Sequence, residues 1–269
     1  MIEIISSLEN PKIKYVRSLQ SRRRVRQLEN HFVFEGARLV EEILKANVAP
    51  QFVVHSTPNA LTEREQRLVT IFTVQGTPCR EISEQVMSAC SHTKSPQGIL
   101  AVIPIPHLPH PLHPSITLLI DQVRDPGNLG TILRTAWAAG VELVLLAPGT
   151  VDPTSSKVVR SAMGAHLHVP IVVQGWDTIA DTVTNTDVWL SAADGQLPYT
   201  SVDWTKPTTV IIGGEAAGAG ARAANLAHGR ISIPLAPGVE SLNAAIAAAV
   251  ILFEAVRQRE SALHMPPEA

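Results

Sequence analysis

Five prolines within eleven residues divide this chain. From Ile103 to Ile116 the sequence runs IPIPHLPHPLHPSI, and Pro104, Pro106, Pro109, Pro111 and Pro114 remove the backbone donors that a helix or a central strand requires. Such a segment is extended and acts as a semi-rigid spacer between two bodies. The chain has 269 residues, and a domain takes roughly 100 to 200. The expected division is residues 1–103, a linker over 104–115, and residues 116–269. His107, His110 and His113 recur at the three-residue period of a polyproline helix and share one face. No acid or thiol stands near them, so this face reads as solvated linker; no metal site is expected anywhere in the chain.

Hydrophobic residues make up 45% of the chain and charged residues 17%, with a formal balance of -2. That describes a packed protein, neither a disordered acidic chain nor a wholly basic nucleic-acid coat. A near-neutral total still leaves room for a local patch. The longest apolar run, Ala244 to Phe253, is about half of the roughly 20 residues that a bilayer crossing needs, so no membrane span is expected. The opening MIEIISSLENPK lacks the basic start and apolar core of a secretory signal, which predicts a cytoplasmic protein. Cys79 and Cys90 offer neither a disulfide framework nor zinc spacing and read as reduced, buried thiols.

Before the linker, residues 11–26 carry Lys12, Lys14, Arg17, Arg22, Arg23, Arg24 and Arg26 with no acid among them. Such a patch suits the sequence-independent phosphate contacts of nucleic-acid binding. Next, Phe32 to Phe34 read as a strand end, and Leu39, Val40, Ile43 and Leu44 fall on one helical face. Apolar runs at Phe52 to Val54, Ile71 to Val74 and Ile99 to Ile103 alternate with polar-periodic stretches around Leu61 to Val69 and Glu81 to Met87. The pattern predicts a small α/β domain.

After the linker, apolar runs at Ile116–Ile120, Glu142–Ala147, Val188–Ala192, Val210–Ile212 and Ile231–Pro234 are mostly separated by helix-length segments. This is how strands buried on both faces read, and it predicts an α/β domain with a parallel sheet covered by helices. Ligands of such sheets collect at the carboxyl ends of the strands. Three loops there hold polar residues that an apolar core does not need. In DQVRDPGNLGTILRTAWAAG, Pro126 and Gly127 form a turn, Asn128 is the expected helix N-cap, and Arg134 follows on the early turns, where a phosphate is well received. In IIGGEAAGAGARA, neither the phosphate-loop nor the dinucleotide glycine fingerprint fits, and Glu215 is the single carboxylate of a permissive loop. In ISIPLAPGVESLNAAIAAAVILFEAVRQR, Ser241 is the expected cap of a helix whose apolar stripe is Leu242, Ile246, Ala249, Phe253 and Val256. Asn243 is expected to have its side chain free for a ligand. The small residues of that helix suit close packing, within the core or across a subunit boundary.

Together these loops resemble the three motifs of the SpoU-type RNA 2′-O-ribose methyltransferases, a branch of the SPOUT class. The first motif is Asn128-Leu129-Gly130 with Arg134, the second Gly213-Gly214-Glu215 with Gly218, and the third Ile233-Pro234 with Ser241-Leu242-Asn243. The segment KVVRSAMGAHLHVP, from Lys157 to Pro170, is similar to the family's stretch between the first two motifs. FVFEGARLVEEIL and SHTKSPQGILAV resemble the substrate-binding domain of its ribosomal-RNA members. Ala216, Ala217 and Ala162 depart from the family pattern, which more often has polar or glycine residues at the first two positions and Ser at the third.

The resemblance implies a deep trefoil knot in the C-terminal parallel-sheet domain, and a smaller N-terminal α/β RNA-binding domain. It also implies a homodimer through the C-terminal domain, with S-adenosylmethionine as cofactor and RNA, foremost ribosomal RNA, as substrate. Gly213, Gly214, Ile233 and Leu242 would line the cofactor largely through main-chain groups. Arg134 would bind a phosphate and stabilise the developing alkoxide, since a free guanidinium with a pKa of about 12 or above is no base. Asn128, Glu215, Ser241 and Asn243 would orient the ribose and the arginine. Lys12, Lys14, Arg22, Arg23, Arg24 and Arg160 would contact RNA. The rival readings are a non-catalytic RNA-binding protein of this fold, a tRNA 2′-O-ribose methyltransferase, and an enzyme of the class that methylates a base nitrogen or a small molecule.

Overall fold

A computed structural model describes residues 4–91, 97–215 and 218–264. It divides into two compact units, Met1–Pro106 with Asp152–Leu167, and His107–Val151 with His168–Ala269. Among the described residues no helix is long and apolar enough to cross a membrane.

The first unit starts with α1 (Pro11–Ser21), α2 (Arg23–Glu29) and β1 (His31–Glu35), followed by α3 (Ala37–Lys45) and β2 (Phe52–His55). It continues with α4 (Glu63–Val74), β3 (Cys79–Glu81), α5 (Glu84–Cys90) and β4 (Ile99–Pro104). The sheet order is β1-β4-β2-β3, antiparallel except for the β2–β3 pair. Strand alternation puts Phe32, Phe34, Val53, Ile99, Ala101 and Ile103 into one core with α3 and α4. Val33, Phe52, Val54, Leu100 and Val102 face the other core with α1 and α5. β1, β2 and β4 are therefore covered on both sides, which is why the sequence shows continuous apolar runs there rather than alternation. Ile71 to Val74 is not a separate run but the last turn of α4, whose N-terminus is fixed by a capping box between Thr62 and Glu65. Cys90 is buried and Cys79 half-buried; burial pushes both thiols up, Cys90 to about 11.

The second unit holds β5 (Ile116–Asp121), α6 (Pro126–Ala138) and β6 (Leu143–Leu146). After α7 (Ser156–Ala162), which packs in the first unit, come β7 (Ile171–Val173), α8 (Trp176–Val183) and β8 (Asp187–Ser191). The chain ends with β9 (Leu197–Pro198), β10 (Thr208–Gly213), α9 (Ala221–Leu226), β11 (Gly229–Ser232) and α10 (Ala244–Leu263). The sheet order is β7-β6-β5-β10-β8-β11-β9, and every pair is parallel. Ile179, Val183 and Ala223 of α8 and α9 cover one face. On α6, Leu129, Ile132, Leu133 and Ala136 are buried. The helix-covered parallel sheet expected from the sequence is present; β7 and β9 are short strands that the apolar runs did not reveal.

Helix α10 corrects one expectation. Its buried face is Ala244, Ala245, Ala248, Ile251, Leu252 and Ala255, whereas Leu242, Ile246 and Phe253 of the expected apolar stripe are exposed. Apolar residues surround this helix, so periodicity alone could not choose a face. The alanines are buried because they let α10 lie close to α6 and β10, its neighbours in the fold.

A second difference concerns residues 152–167, which the sequence division placed after the linker and which pack with the first unit. Arg26 explains the attachment. Its guanidinium pairs with Asp152 and donates from Nε to Thr154 Oγ1 at 3.1 Å; its Nη1 also donates to the Leu19 carbonyl. Val159 and Leu167 enter the core beside Phe32 and Phe34, and the His166 ring lies 5.6 Å from that of Phe32. Arg26 is 4% exposed, so this member of the expected basic patch is a structural tie and not a surface contact. The Asp152 carboxyl is raised by burial but lowered more by Arg26 and Thr154, so it stays below the ordinary carboxylate value.

Candidate active site

At the carboxyl edge of the parallel sheet, β5 ends on Asp121, β10 on Gly213 and β11 on Ser232, and the loops that follow converge. Asp121 is fully buried, and its Oδ2 accepts the Gly220 N–H at 2.7 Å, which ties the second loop to the first. Burial raises its carboxyl, and the Gly220 N–H works against that rise. Gln122 follows with φ 58, a left-handed conformation unusual for a residue with a side chain. This bend brings the Gln122 carbonyl so close that a Cβ on Gly214 would stand 2.3 Å from its oxygen. A Cβ on Gly213 would meet the backbone nitrogen of Ala219 at 2.3 Å. Both glycines are required by backbone crowding, the reason their type appears at this position.

A cavity of about 360 Å³ opens beside them. Gly213, Gly214, Ile233 and Leu242, the four expected cofactor contacts, all line it, as do Glu215 and Ser241. Its wall also includes Ser191, the last residue of β8, Ala192 and Ala193 after it, together with Leu235 and Glu240, none of which the sequence reading selected. Position at the carboxyl end of a parallel strand was the available signal for the β8 residues. Among the described residues, the stretch from Ile233 to Leu242 shows one backbone–backbone bond, Val239 N–H to the Ala236 carbonyl at 3.2 Å. Of this stretch, Ile233, Leu235, Glu240, Ser241 and Leu242 line the cavity.

Three of the expected polar residues form one chain at this loop cluster. Asn243 Nδ2 donates to Asn128 Oδ1 at 2.9 Å, and Asn128 Nδ2 donates to Glu215 Oε1 at 2.7 Å. Both Asn128 amide atoms are thereby assigned, leaving one N–H and one lone pair for a ligand. Burial works to raise the Glu215 carboxyl, but the Asn128 amide and the backbone N–H groups of Glu215, Arg124 and Asp125 outweigh it. The group is held below the ordinary carboxylate value.

The helix ends differ from expectation. Asp125, not Asn128, caps α6: its Oδ1 accepts the Asn128 N–H at 2.8 Å, and Pro126 and Gly127 belong to the first helical turn. Pro126 supplies the fixed φ that suits that position, which moves the cap back to Asp125. Asn243, not Ser241, caps α10, with Oδ1 accepting the N–H groups of Ala245 at 2.9 Å and Ile246 at 3.3 Å. Its side chain is therefore committed at both ends rather than free. Arg134 is exposed on α6, lies outside the cavity lining, and makes no hydrogen bond or ion pair with the described residues. Of the expected RNA contacts, Lys12, Lys14 and Arg22 to Arg24 lie on or beside α1 and α2, and Arg160 lies on α7, all in the first unit. No group of three or more His, Cys, Asp or Glu among the described residues could hold a metal ion. Ala216, Ala217 and residues 92–96 lie outside the described residues.

Residues 115–253 match the model of the SpoU rRNA Methylase family. The chain belongs to that family. It is a methyltransferase by this membership, and residues 10–101 match a second description, the MRM3-like substrate binding domain. The 23S rRNA (guanosine(2553)-2′-O)-methyltransferase RlmP of Bacillus subtilis is 35% identical over 254 residues, which is 93% of this chain and 97% of that protein. The mitochondrial rRNA methyltransferase 3 of Homo sapiens is 29% identical over an alignment covering 92% of this chain and 72% of its own. The AdoMet-bound rRNA methyltransferase of Sinorhizobium meliloti superposes with a TM-score of 0.83 at 30% identity, covering 95% of this SpoU chain and 98% of its own.

Proposed function

We propose that this SpoU protein transfers the methyl group of S-adenosylmethionine to a ribose 2′-hydroxyl of ribosomal RNA. The observation that carries the reading is the convergence of all three loops: Gly213, Gly214, Ile233, Ser241 and Leu242 line one cavity, and Asn128, Glu215 and Asn243 are hydrogen-bonded in one chain beside it. The cavity volume of about 360 Å³ falls in the range of small-ligand sites, roughly 300 to 1,000 Å³. Its glycine edges and the main-chain groups of residues 233–242 suit an adenosine held by backbone hydrogen bonds. When bound, the cofactor supplies an activated methyl on a sulfonium.

The protein's own task is alignment and charge. Glu215, ionised, fixes the Asn128 amide, and Asn243 fixes it from the other side. Asn128 then has a defined donor and acceptor with which to hold a ribose. Arg134, whose donors are unspent among the described residues, binds the phosphate beside the target sugar, where it stabilises the oxygen as it takes the methyl group and its proton passes to water.

The finer parts of the reading follow from the same features. The backbone crowding at Gly213 and Gly214 and the Gly220–Asp121 tie suit the close chain passages of a trefoil knot. The exposed apolar face of α10, Ile246 and Phe253, with Leu242 ahead of it and Trp137 on neighbouring α6, suits a homodimer. A second copy on that face accounts for an Arg134 that stands outside the cavity of its own chain. In this reading residues 1–103 bind RNA, with Lys12, Lys14, Arg22, Arg23 and Arg24 on phosphates, and the enzyme works in the cytoplasm.

The deciding experiment digests RNA from cells with and without the protein to nucleosides and maps 2′-O-methyl positions in ribosomal and transfer RNA. Loss of one ribosomal 2′-O-methyl nucleotide is the expected result. Loss of a base methylation, of a transfer-RNA site or of none overturns the reading.

A further inference from the structure

The wall of the cavity beside Gly213 and Gly214 carries charge of one sign. Two carboxylates line it, Glu215 and Glu240, and among the described residues it holds no lysine, arginine or histidine. The two acids are not equivalent. Glu215 Oε1 takes the Asn128 amide at 2.7 Å and Oε2 accepts the Arg124 N–H at 3.4 Å, so this carboxylate belongs to the chain that orients Asn128. Glu240 is exposed and makes no hydrogen bond or ion pair with the described residues. Its place follows from the local sequence. Pro237 and Gly238 stand at the second and third positions of a turn closed by the Val239 N–H on the Ala236 carbonyl at 3.2 Å. Gly238 has φ 87, the left-handed value that a type II turn requires at its third position. The chain therefore doubles back, and Leu235 on one arm and Glu240 on the other both reach the cavity wall. The positive end of α10 follows, and Asn243 Oδ1 already occupies its N–H groups at Ala245 and Ile246.

S-adenosylmethionine and its product S-adenosylhomocysteine share the adenosine, the ammonium and the carboxylate. They differ by the methyl group and by one positive charge, which is lost when the methyl group leaves and the sulfur keeps the electron pair of the broken bond. Moving a charge from water to an apolar surface costs free energy, and Ile233, Leu235 and Leu242 give this cavity such a surface. Taken alone, that surface favours the neutral product, which would then hold the site after each turnover. A carboxylate in the wall works against this preference. A compact space of about 360 Å³ is roughly 9 Å across, within one screening length at ordinary ionic strength, so the charge of Glu240 acts on a cation held anywhere inside it.

We propose that Glu240 is the residue by which this site discriminates between the charged methyl donor and the neutral product, its carboxylate favouring the sulfonium and so promoting release of the thioether. The inference rests on the reading that the cavity holds S-adenosylmethionine. It assigns the two carboxylates of one wall to separate tasks, Glu215 to the geometry around Asn128 and Glu240 to the charge of the cofactor.

The test is calorimetry on the full chain with S-adenosylmethionine, S-adenosylhomocysteine and sinefungin, an analogue in which an amine-bearing carbon replaces the sulfonium. Wild type, Glu240→Gln and Glu240→Asp are compared at low and high salt. The Gln variant is expected to weaken S-adenosylmethionine and sinefungin by about fivefold relative to S-adenosylhomocysteine, the upper scale of one exposed charge pair. Its affinity for S-adenosylhomocysteine should stay at the wild-type value, which also verifies its fold. The difference between the charged and neutral ligands should shrink as salt rises, and the Asp variant, which keeps the charge, should retain the wild-type preference. Equal weakening of all three ligands in the Gln variant makes Glu240 a plain contact and overturns the proposal. An Asp variant that behaves like the Gln variant assigns the effect to side-chain shape and overturns it as well. Unchanged ratios in the Gln variant, in a protein that binds all three ligands, overturn it and leave the cofactor reading standing. A wild type that binds none of the three overturns the reading and the proposal together.

Discussion

The two units solve the problem of holding polar groups in different ways. In the first, side chains close on one another: Thr62 with Glu65, and Arg26 with Asp152 and Thr154. In the second, the candidate site is shaped by backbone, with Gly213 and Gly214 forced against neighbouring main chain and a stretch from Ile233 to Leu242 that shows one backbone–backbone bond among the described residues. Two arginines express the contrast. Arg26 is 4% exposed with its donors committed to protein acceptors, whereas Arg134 is exposed with none committed to the described residues. A buried, fully bonded arginine belongs to the architecture; the exposed one, with no partner among the described residues, is the one the proposed reaction uses.

The largest effect should come from breaking the architectural arginine. Arg26→Ala leaves the Asp152 carboxylate buried without its cation, which costs about 3 to 5 kcal/mol for a pair of this kind. Urea unfolding followed in the first unit should show it, and a stability within about 1 kcal/mol of wild type, the range of an ordinary surface change, would mean that Arg26 is no architectural tie. Arg134→Ala should do the reverse. Its fold should be unchanged while methyl transfer from a labelled cofactor falls by about a hundredfold to a thousandfold, the scale of losing one preorganised donor. Equal activity in that variant takes Arg134 out of the mechanism.

The first unit should also carry a pH dependence that the second lacks at this strength. Burial pushes His166 down to about 4, against smaller opposing effects of the Pro153 carbonyl and Asp152. Its ring nitrogen Nε2 lies 2.7 Å from that carbonyl, and with burial holding its pKa at about 4 the ring is neutral in the folded protein at neutral pH. The unfolded chain takes up a proton below about pH 6.5 and the folded one does not until about 4, so stability falls as pH drops through that window. The loss amounts to about 3 kcal/mol at its full extent. A His166→Gln variant should flatten the urea midpoint between pH 7 and 4; an unchanged slope would assign the dependence elsewhere.

The smallest effect separates two duties of one residue. Asn243→Asp keeps the oxygen that caps α10 and loses the nitrogen that holds Asn128. Thermal stability should stay near wild type while methyl transfer falls by about tenfold. Asn243→Ala should lose both, with about 1 kcal/mol of helix stability. If Asp and Ala lower activity and stability alike, the bond to Asn128 contributes nothing of its own.

Much of this was legible in the residues. The prolines from Pro104 to Pro114 marked where the chain leaves the first unit, and runs such as Ile116–Ile120 and Val210–Ile212 identified strands covered on both faces. Crowded glycines at 213 and 214 were visible as a motif because no other residue type fits there. The caps were misassigned by two and three positions, since Asp125, Asn128, Ser241 and Asn243 all have capping side chains and only the path of the backbone chooses among them. The buried face of α10 was likewise undecidable while Ile246 and Phe253 competed with a row of alanines.

By itself the sequence determined what is set by local chemistry: where donors are missing, where Cβ atoms are absent, and which runs are apolar enough to be strands. Tertiary structure decided what depends on partners distant in the chain. Asn128, Glu215 and Asn243 lie up to 115 positions apart and meet only because β5 and β10 are paired and α10 packs against α6. Arg26 and Asp152, separated by 126 positions, turned a member of a basic run into a buried tie. A side chain's charge is written in its own codon; whether that charge is spent inside the protein is settled by what the fold brings to it.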